Sequence, residues 1–103
     1  MASRGRILIV DDEANARAAL SEILHEDGYT TETAADGFKA LGKLIEFDPD
    51  VVLTDLKMPG LDGIGLVEKG REICPTALFV VMTAFGTIDS AVQAVKRDAQ
   101  RTT

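Results

Sequence analysis

The fold is decided by a short segment near the start of the chain, Ile7-Leu8-Ile9-Val10-Asp11-Asp12-Glu13. Four consecutive apolar residues are followed at once by three acidic ones. An apolar run that does not alternate with polar residues is typical of a β-strand buried on both faces, as in a parallel sheet. The same pattern recurs in residues 51–54, which are followed by Asp55, and in residues 78–82, which are followed by Thr83.

Helical patterns separate these apolar runs. Residues 29–34 are more polar and are predicted to form an edge strand. Apolar side chains recur at helical spacing in four stretches: Ala16, Leu20, Ile23 and Leu24; Phe38, Leu41, Leu44 and Ile45; Ile64 and Val67; Ile88, Ala91, Val92 and Val95. Three glycines weaken the third of these helices, because glycine lowers helix propensity. Strands that alternate with helices imply βαβ units, so the sequence predicts an α/β open parallel sheet.

Composition narrows the class of protein. The chain has 103 residues, enough for one small domain, and 46% of them are hydrophobic, which is typical of a globular protein. The formal net charge of −6 argues against direct contact of this segment with nucleic acid or with an anionic membrane, because like charges repel. The single cysteine, Cys74, and the short apolar run at the start predict a reducing, cytoplasmic location without a membrane anchor.

Polar side chains at the ends of three predicted strands indicate a functional site. In an open α/β sheet, ligands bind beside the carboxyl ends of the strands. That edge is expected to bring together Asp11, Asp12, Asp55 and Thr83. Three ionised carboxylates in one crevice repel each other, and a hard divalent cation with oxygen ligands relieves the repulsion. Mg²⁺ is the predicted ion, since the only histidine and the only cysteine lie elsewhere, which disfavours zinc.

A carboxylate in such a site can also act as a nucleophile and form an aspartyl phosphate. The Thr83 hydroxyl and the backbone N–H groups of Lys57 and Ala84 are the predicted donors to phosphoryl oxygens. Each feature has a structural alternative when it is taken alone. An acidic run after a strand is often a helix N-terminus, where carboxylates complement the helix dipole. Only the joint placement at three strand ends favours function.

Three segments resemble the receiver domains of bacterial two-component response regulators. They are residues 7–13, residues 55–63 with the sequence DLKMPGLDG, and residues 83–92 with the sequence TAFGTIDSAV. The last segment is similar to the one found in receivers attached to sigma-54-type transcription activators. The resemblance covers about residues 5–99. It implies a flavodoxin-like (CheY-like) fold with the strand order 2-1-3-4.

The resemblance also implies a role for each matching residue. Asp55 would accept a phosphoryl group from the phosphohistidine of a sensor histidine kinase and would thereby control an output or effector domain. Asp12 and Asp55 would bind Mg²⁺ directly, Asp11 directly or through water, and Lys57 through its carbonyl. Thr83 would move toward the phosphoryl group and couple the site to the helix that follows.

At the C-terminus the sequence departs from this family. Receiver domains continue into a fifth strand with an aromatic switch residue, an active-site lysine and a fifth helix, whereas this chain ends at Thr103. We therefore expect a single receiver domain, residues 1–103, that is C-terminally incomplete and contains no active-site lysine. The apolar strand at residues 78–82 would then be an exposed sheet edge. Such an edge favours a homodimer or segment exchange.

Two other functions stay open at this point. A pseudo-receiver would use the same fold as a phosphorylation-independent interaction module, and the missing lysine favours that alternative. A small Mg²⁺-dependent phosphohydrolase would normally carry a second acid two residues after its nucleophile, where this chain has Lys57. The leading prediction is a regulatory receiver domain that is not an enzyme.

Overall fold

The computed structural model describes residues 3–82, which form a four-stranded parallel sheet flanked by three helices. The strands are β1 (Arg6–Val10), β2 (Thr30–Ala34), β3 (Val51–Asp55) and β4 (Leu78–Met82). The helices are α1 (Ala14–Glu26), α2 (Gly37–Phe47) and α3 (Gly63–Ile73). The order across the sheet is β2-β1-β3-β4, and every neighbouring pair is parallel. The predicted α/β sheet and its strand order are confirmed.

Two apolar cores lie on opposite faces of the sheet. Along β1, Ile7 and Ile9 pack on one face with side chains of α1, whereas Leu8 and Val10 pack on the other face with side chains of α2 and α3. All four residues have no exposed surface. This two-sided burial explains why these four residues of the strand are all apolar. The more polar β2 lies at the edge, as the sequence predicts.

The three helices predicted within residues 3–82 form, but their buried faces differ in part from the expected apolar stripes. In α2 the buried side chains are Ala40 and Leu44, whereas Phe38 is 62% exposed and Ile45 is 72% exposed. These two residues of the predicted apolar stripe therefore lie outside the buried face of the helix. Ile23 of α1 and Ile64 of α3 are also exposed. Apolar spacing marks a broad helix face, and only the side chains nearest the sheet are covered.

The glycines of α3 have a packing role that their low helix propensity conceals. At Gly70, an added Cβ would approach the Phe79 ring to 2.7 Å and the Leu44 side chain to 3.2 Å. Gly63 is likewise buried, and a Cβ there would overlap the carbonyl oxygen of Asp55. These positions let α3 lie close against α2 and the sheet.

Several predictions concern residues 83–103, which lie outside the described residues. They include Thr83, Ala84, the helix around residues 88–95 and the absence of a fifth strand and helix. Within residues 3–82, β4 is an edge strand whose only partner is β3. None of the helices in that part of the chain has the length and apolar character needed to cross a membrane.

Candidate functional site

Two neighbouring strands deliver the predicted acidic residues to one place. β1 and β3 are adjacent and parallel, and Val10 lies opposite Thr54, so the residues that follow each strand end emerge side by side. One carboxylate oxygen from each of Asp11, Asp12 and Asp55 lies within 4.8 Å of the others. The convergence predicted for these three side chains is therefore confirmed.

The acidic run at residues 11–13 divides between two tasks. Glu13 is the N-cap of α1, and its carboxylate accepts hydrogen bonds from the N–H groups of Asn15 (3.2 Å) and Ala16 (2.7 Å). The helix N-terminus is therefore capped by the third acid alone. Asp11 accepts the N–H of Glu13 with one oxygen at 2.9 Å, and the side chain of Asp12 is exposed. Helix capping therefore explains the presence of Glu13 but not that of Asp11 and Asp12.

The backbone around Asp55, the last residue of β3, is fixed by neighbouring groups. The fully buried Thr54 hydroxyl donates to the Asp55 carbonyl at 3.0 Å. The next residue, Leu56, donates its N–H to the Met82 carbonyl and accepts the N–H of Gly63, both at 2.9 Å. These bonds fix the strand end to β4 on one side and to the start of α3 on the other. These bonds therefore hold the main chain from which the half-buried Asp55 carboxylate projects.

The three carboxylates repel each other. Asp11 is only 7% exposed, and its burial raises the pKa of its carboxyl group above the ordinary value of 3.8. The hydrogen bond from the Glu13 N–H opposes this rise in the pKa, while the charges of Asp55, Asp12 and Glu13 add to it. None of the three carboxylates forms an ion pair within residues 3–82. Three oxygen donors without a counter-charge suit a hard divalent cation such as Mg²⁺.

Of the other predicted site residues, only Lys57 lies among the described residues. Lys57 lies exposed in the loop after β3, beside Met58, Pro59 and Asp62. Its N–H has no hydrogen-bond partner within residues 3–82, whereas the N–H of Leu56 is already bonded to Met82. The role of the Lys57 carbonyl as a ligand stays a prediction. Thr83 and Ala84 lie outside the described residues.

Sequence reasoning missed three residues that shape the site. Arg17 donates to the Asp11 carbonyl, Thr54 donates to the Asp55 carbonyl, and Gly63 leaves room for that same carbonyl. Signals for two of them were present in the sequence. A threonine in an apolar strand, directly before the predicted nucleophile, needs a hydrogen-bond partner when it is buried. A glycine at the predicted start of a helix indicates close approach of another backbone.

Comparison with known proteins agrees with this geometry. The family model described as the response regulator receiver domain matches residues 7–102. The sporulation initiation phosphotransferase F of Bacillus subtilis is 40% identical over 84 residues, which cover 82% of this chain and 68% of that protein. The regulatory protein AtoC of Escherichia coli is 38% identical over 96 residues, which cover 93% of this chain but only 21% of that protein. The chain thus spans about a fifth of the length of this larger regulator.

Solved structures show the same fold. The receiver domain of the hybrid histidine kinase CckA superposes with a TM-score of 0.82 at 31% identity, covering 93% of this chain and all of that one. NtrX from Brucella abortus, in a complex with ADP, gives a TM-score of 0.74 at 34% identity over 90% of this chain and 22% of its own. The four described strands and three helices are therefore the common framework of these domains.

Proposed function

This chain belongs to the response regulator receiver domain family, and we propose that it accepts a phosphoryl group on Asp55 from a sensor histidine kinase. Receiver domains are signalling modules of two-component phosphotransfer systems, and they act between histidine kinases and output domains. The observation that carries the proposal for this chain is the convergence of Asp11, Asp12 and Asp55 within 4.8 Å. We further propose that the chain acts as a single regulatory domain in the cytoplasm and is not an enzyme with a substrate of its own.

Mg²⁺ is the cofactor in this proposal, since receiver domains bind it in an acidic pocket of this kind. Asp11, Asp12 and Asp55 would hold the ion, and the Lys57 carbonyl would be a further ligand. When bound, the ion neutralises negative charge on the carboxylates and on the transferring phosphoryl group. The relief of repulsion among three carboxylates that lack an ion-pair partner within residues 3–82 supports this assignment.

The residues of the chain position the nucleophile. In the proposed step, an Asp55 carboxylate oxygen forms a bond to phosphorus while the bond from phosphorus to the kinase histidine nitrogen breaks. The histidine ring, protonated on its other nitrogen, keeps that electron pair and leaves as a neutral imidazole. The bonds that fix the Asp55 backbone hold the carboxylate in place for attack. The N–H of Lys57, which has no hydrogen-bond partner within residues 3–82, and, by prediction, the N–H of Ala84 and the hydroxyl of Thr83 would stabilise the phosphoryl oxygens.

The proposed partners are a sensor histidine kinase and an output or effector domain. We also propose self-association through β4. Within residues 3–82 this strand has one free edge, Leu78 is 40% exposed, and the other four side chains are only partly buried. An apolar edge of this kind favours pairing with a second copy. Sedimentation of the 103-residue chain at micromolar concentration is expected to give a dimer mass, and a monomer mass would contradict the proposal.

Intact-mass spectrometry tests the main proposal directly. Incubation with acetyl phosphate and Mg²⁺ is expected to add one phosphoryl group to the wild-type chain and none to the Asp55→Asn variant. The Asp50→Asn variant is the matched control, because Asp50 lies directly before the opposite end of the same strand, and it should be labelled like the wild type. A folded wild-type chain that takes up no phosphoryl group would instead favour the pseudo-receiver alternative.

A further inference from the structure

Arg17 makes a contact with the acidic site that the proposed chemistry does not yet include. It lies in the second turn of α1 and is half-buried. Its Nη1 donates to the backbone carbonyl oxygen of Asp11 at 2.7 Å. The Arg17 guanidinium group therefore extends from α1 back to the turn that contains Asp11 and Asp12. This bond reaches the main chain of the site, not its carboxylates.

The Asp11 backbone is consequently held from two sides. Its N–H donates to the Ala34 carbonyl of β2 at 3.2 Å, and its carbonyl accepts the Arg17 bond. Because the peptide group is planar, fixing the Asp11 carbonyl also fixes the direction of the Asp12 N–H and the start of Asp12. One of the bonds that hold the main chain at the acidic pair thus comes from a side chain of α1.

A cation in this position has two opposing effects on a bound divalent ion. Its positive charge repels such an ion, so the loss of that charge alone strengthens binding. Its hydrogen bond orients the ligands, so the loss of that bond weakens binding. The carboxylate oxygens are left for a ligand because Arg17 uses the Asp11 carbonyl and forms no ion pair with the three acids. The two effects differ in sign, which makes them separable.

We propose that Arg17 is a positioning residue, whose hydrogen bond to the Asp11 carbonyl holds Asp11 and Asp12 in the orientation that binds a divalent cation beside Asp55. The inference rests on the proposed function, since it assumes that these carboxylates bind Mg²⁺. It adds a residue outside the acidic cluster to the requirements of the site.

Titration of the 103-residue chain with MgCl₂, followed by the backbone amide NMR signals of residues 11, 12 and 55, tests this role. Arg17→Met removes donor and charge, and the expected result is an Mg²⁺ affinity about tenfold weaker, as for other groups that orient metal ligands. Arg17→Lys restores a charged donor and should stay within about threefold of the wild type. Lys39→Met is the matched control, because Lys39 lines the same groove as Arg17 and its side chain makes no hydrogen bond within residues 3–82.

The outcomes separate the two proposals. Lys39→Met should bind Mg²⁺ as tightly as the wild type or more tightly. If Arg17→Met does the same, charge is the only effect of Arg17 and the positioning role is overturned, while the proposed function stands. Equal weakening in Arg17→Lys overturns it as well. A wild-type chain that does not respond to Mg²⁺ overturns both proposals. Thermal unfolding checks that each variant is folded. If Arg17→Met is unfolded, Arg17→Gln replaces it, because a glutamine side chain is too short to reach the Asp11 carbonyl.

Discussion

The two ends of the sheet use acidic residues in opposite ways. At the amino ends of the strands, the carboxylate of Asp50 accepts the N–H of Arg6 at 2.8 Å. The backbone of the same residue bonds to the Arg6 carbonyl and to the Leu78 N–H, both at 2.9 Å. One aspartate therefore ties together the starts of β1, β3 and β4. At the carboxyl ends, Asp11, Asp12 and Asp55 crowd together and form no ion pair within residues 3–82.

The difference indicates that the acidic residues at the carboxyl ends of the strands lower the stability of the domain, whereas the aspartate at the amino ends raises it. A carboxylate that accepts backbone N–H groups stabilises the fold, whereas carboxylates that face each other destabilise it. Substitutions at the amino end should therefore lower stability and leave the binding of Mg²⁺ unchanged. Substitutions in the acidic cluster should raise stability and abolish binding, as is common where function requires strained or repulsive groups.

The largest expected effect comes from a substitution at Gly63, which packs against the backbone at the carboxyl end of β3. A Cβ at this buried position would overlap the Asp55 carbonyl oxygen and approach the Cα of Leu56 to 3.0 Å. Gly63→Ala should lower the free energy of unfolding by about 1–3 kcal/mol and reduce phosphoryl uptake. Gly42→Ala is the control, since its Cβ meets nothing within 4 Å, and it should stabilise α2 by about 0.5–1 kcal/mol. Denaturant unfolding measures both, and equal stabilities would contradict the prediction.

Asp50→Ala should produce the next largest effect, at the amino end. The substitution removes the acceptor of the Arg6 N–H, and the exposed position allows water to replace part of the bond. A loss of about 1 kcal/mol in the free energy of unfolding is therefore expected. The affinity for Mg²⁺ should not change, because the residue lies at the other end of β3. A variant that loses Mg²⁺ binding but not stability would reverse the proposed difference between the two ends.

The sheet could be predicted from the sequence because burial on both faces favours the apolar runs at residues 7–10 of β1 and residues 51–53 of β3. The same argument located the site, since the first charged residues after these apolar runs are Asp11 and Asp55. Both features follow from local sequence. The buried faces of the helices were less predictable. In α2, apolar residues occupy a wider arc than the sheet covers, so Phe38 and Ile45 are exposed despite correct spacing.

The contact partners of the supporting residues could not be assigned from local sequence, although a threonine in an apolar strand and a glycine near a helix start indicate that such contacts exist. The bond of Arg17 to a carbonyl six residues earlier depends on the angle at which α1 leaves the sheet. In the sequence, Gly63 indicates only a weak helix former. Its packing role is visible only once α3 lies against the end of β3. Both contacts arise from tertiary packing, which overrides intrinsic propensity.

Asp11→Asn should stabilise the domain when Mg²⁺ is absent. The substitution removes one of three crowded charges, while the amide oxygen can still accept the N–H of Glu13. An increase on the order of 1 kcal/mol in the free energy of unfolding is expected, which is roughly 4–8 °C in Tm for a domain of this size. Saturating Mg²⁺ should raise the Tm of the wild type and leave that of the variant unchanged. A variant that melts below the Mg²⁺-free wild type would show that the cluster is not repulsive.

The smallest expected effect concerns the pH dependence of stability at the amino end. The buried thiol of Cys74 donates to the Asp48 carboxylate, with Sγ 3.6 Å from Oδ1. Burial, followed by this hydrogen bond and the charge of Asp48, raises the pKa of the thiol above its ordinary value of 9.0. The folded state therefore keeps the proton to a higher pH than the unfolded state. Its contribution to stability is complete below pH 9.0 and is lost as the pH rises through the raised pKa.

Cys74→Ser isolates this contribution, since serine retains a hydroxyl donor that does not titrate in this range. Cys74 is the only cysteine of the chain, so no other thiol contributes to the difference between the two proteins. The difference in the free energy of unfolding should be constant from about pH 7 to pH 8.5 and should shift by less than about 1 kcal/mol, against the wild type, by about pH 9.5. A pH-independent difference would mean that the thiol of Cys74 is not held protonated by its surroundings.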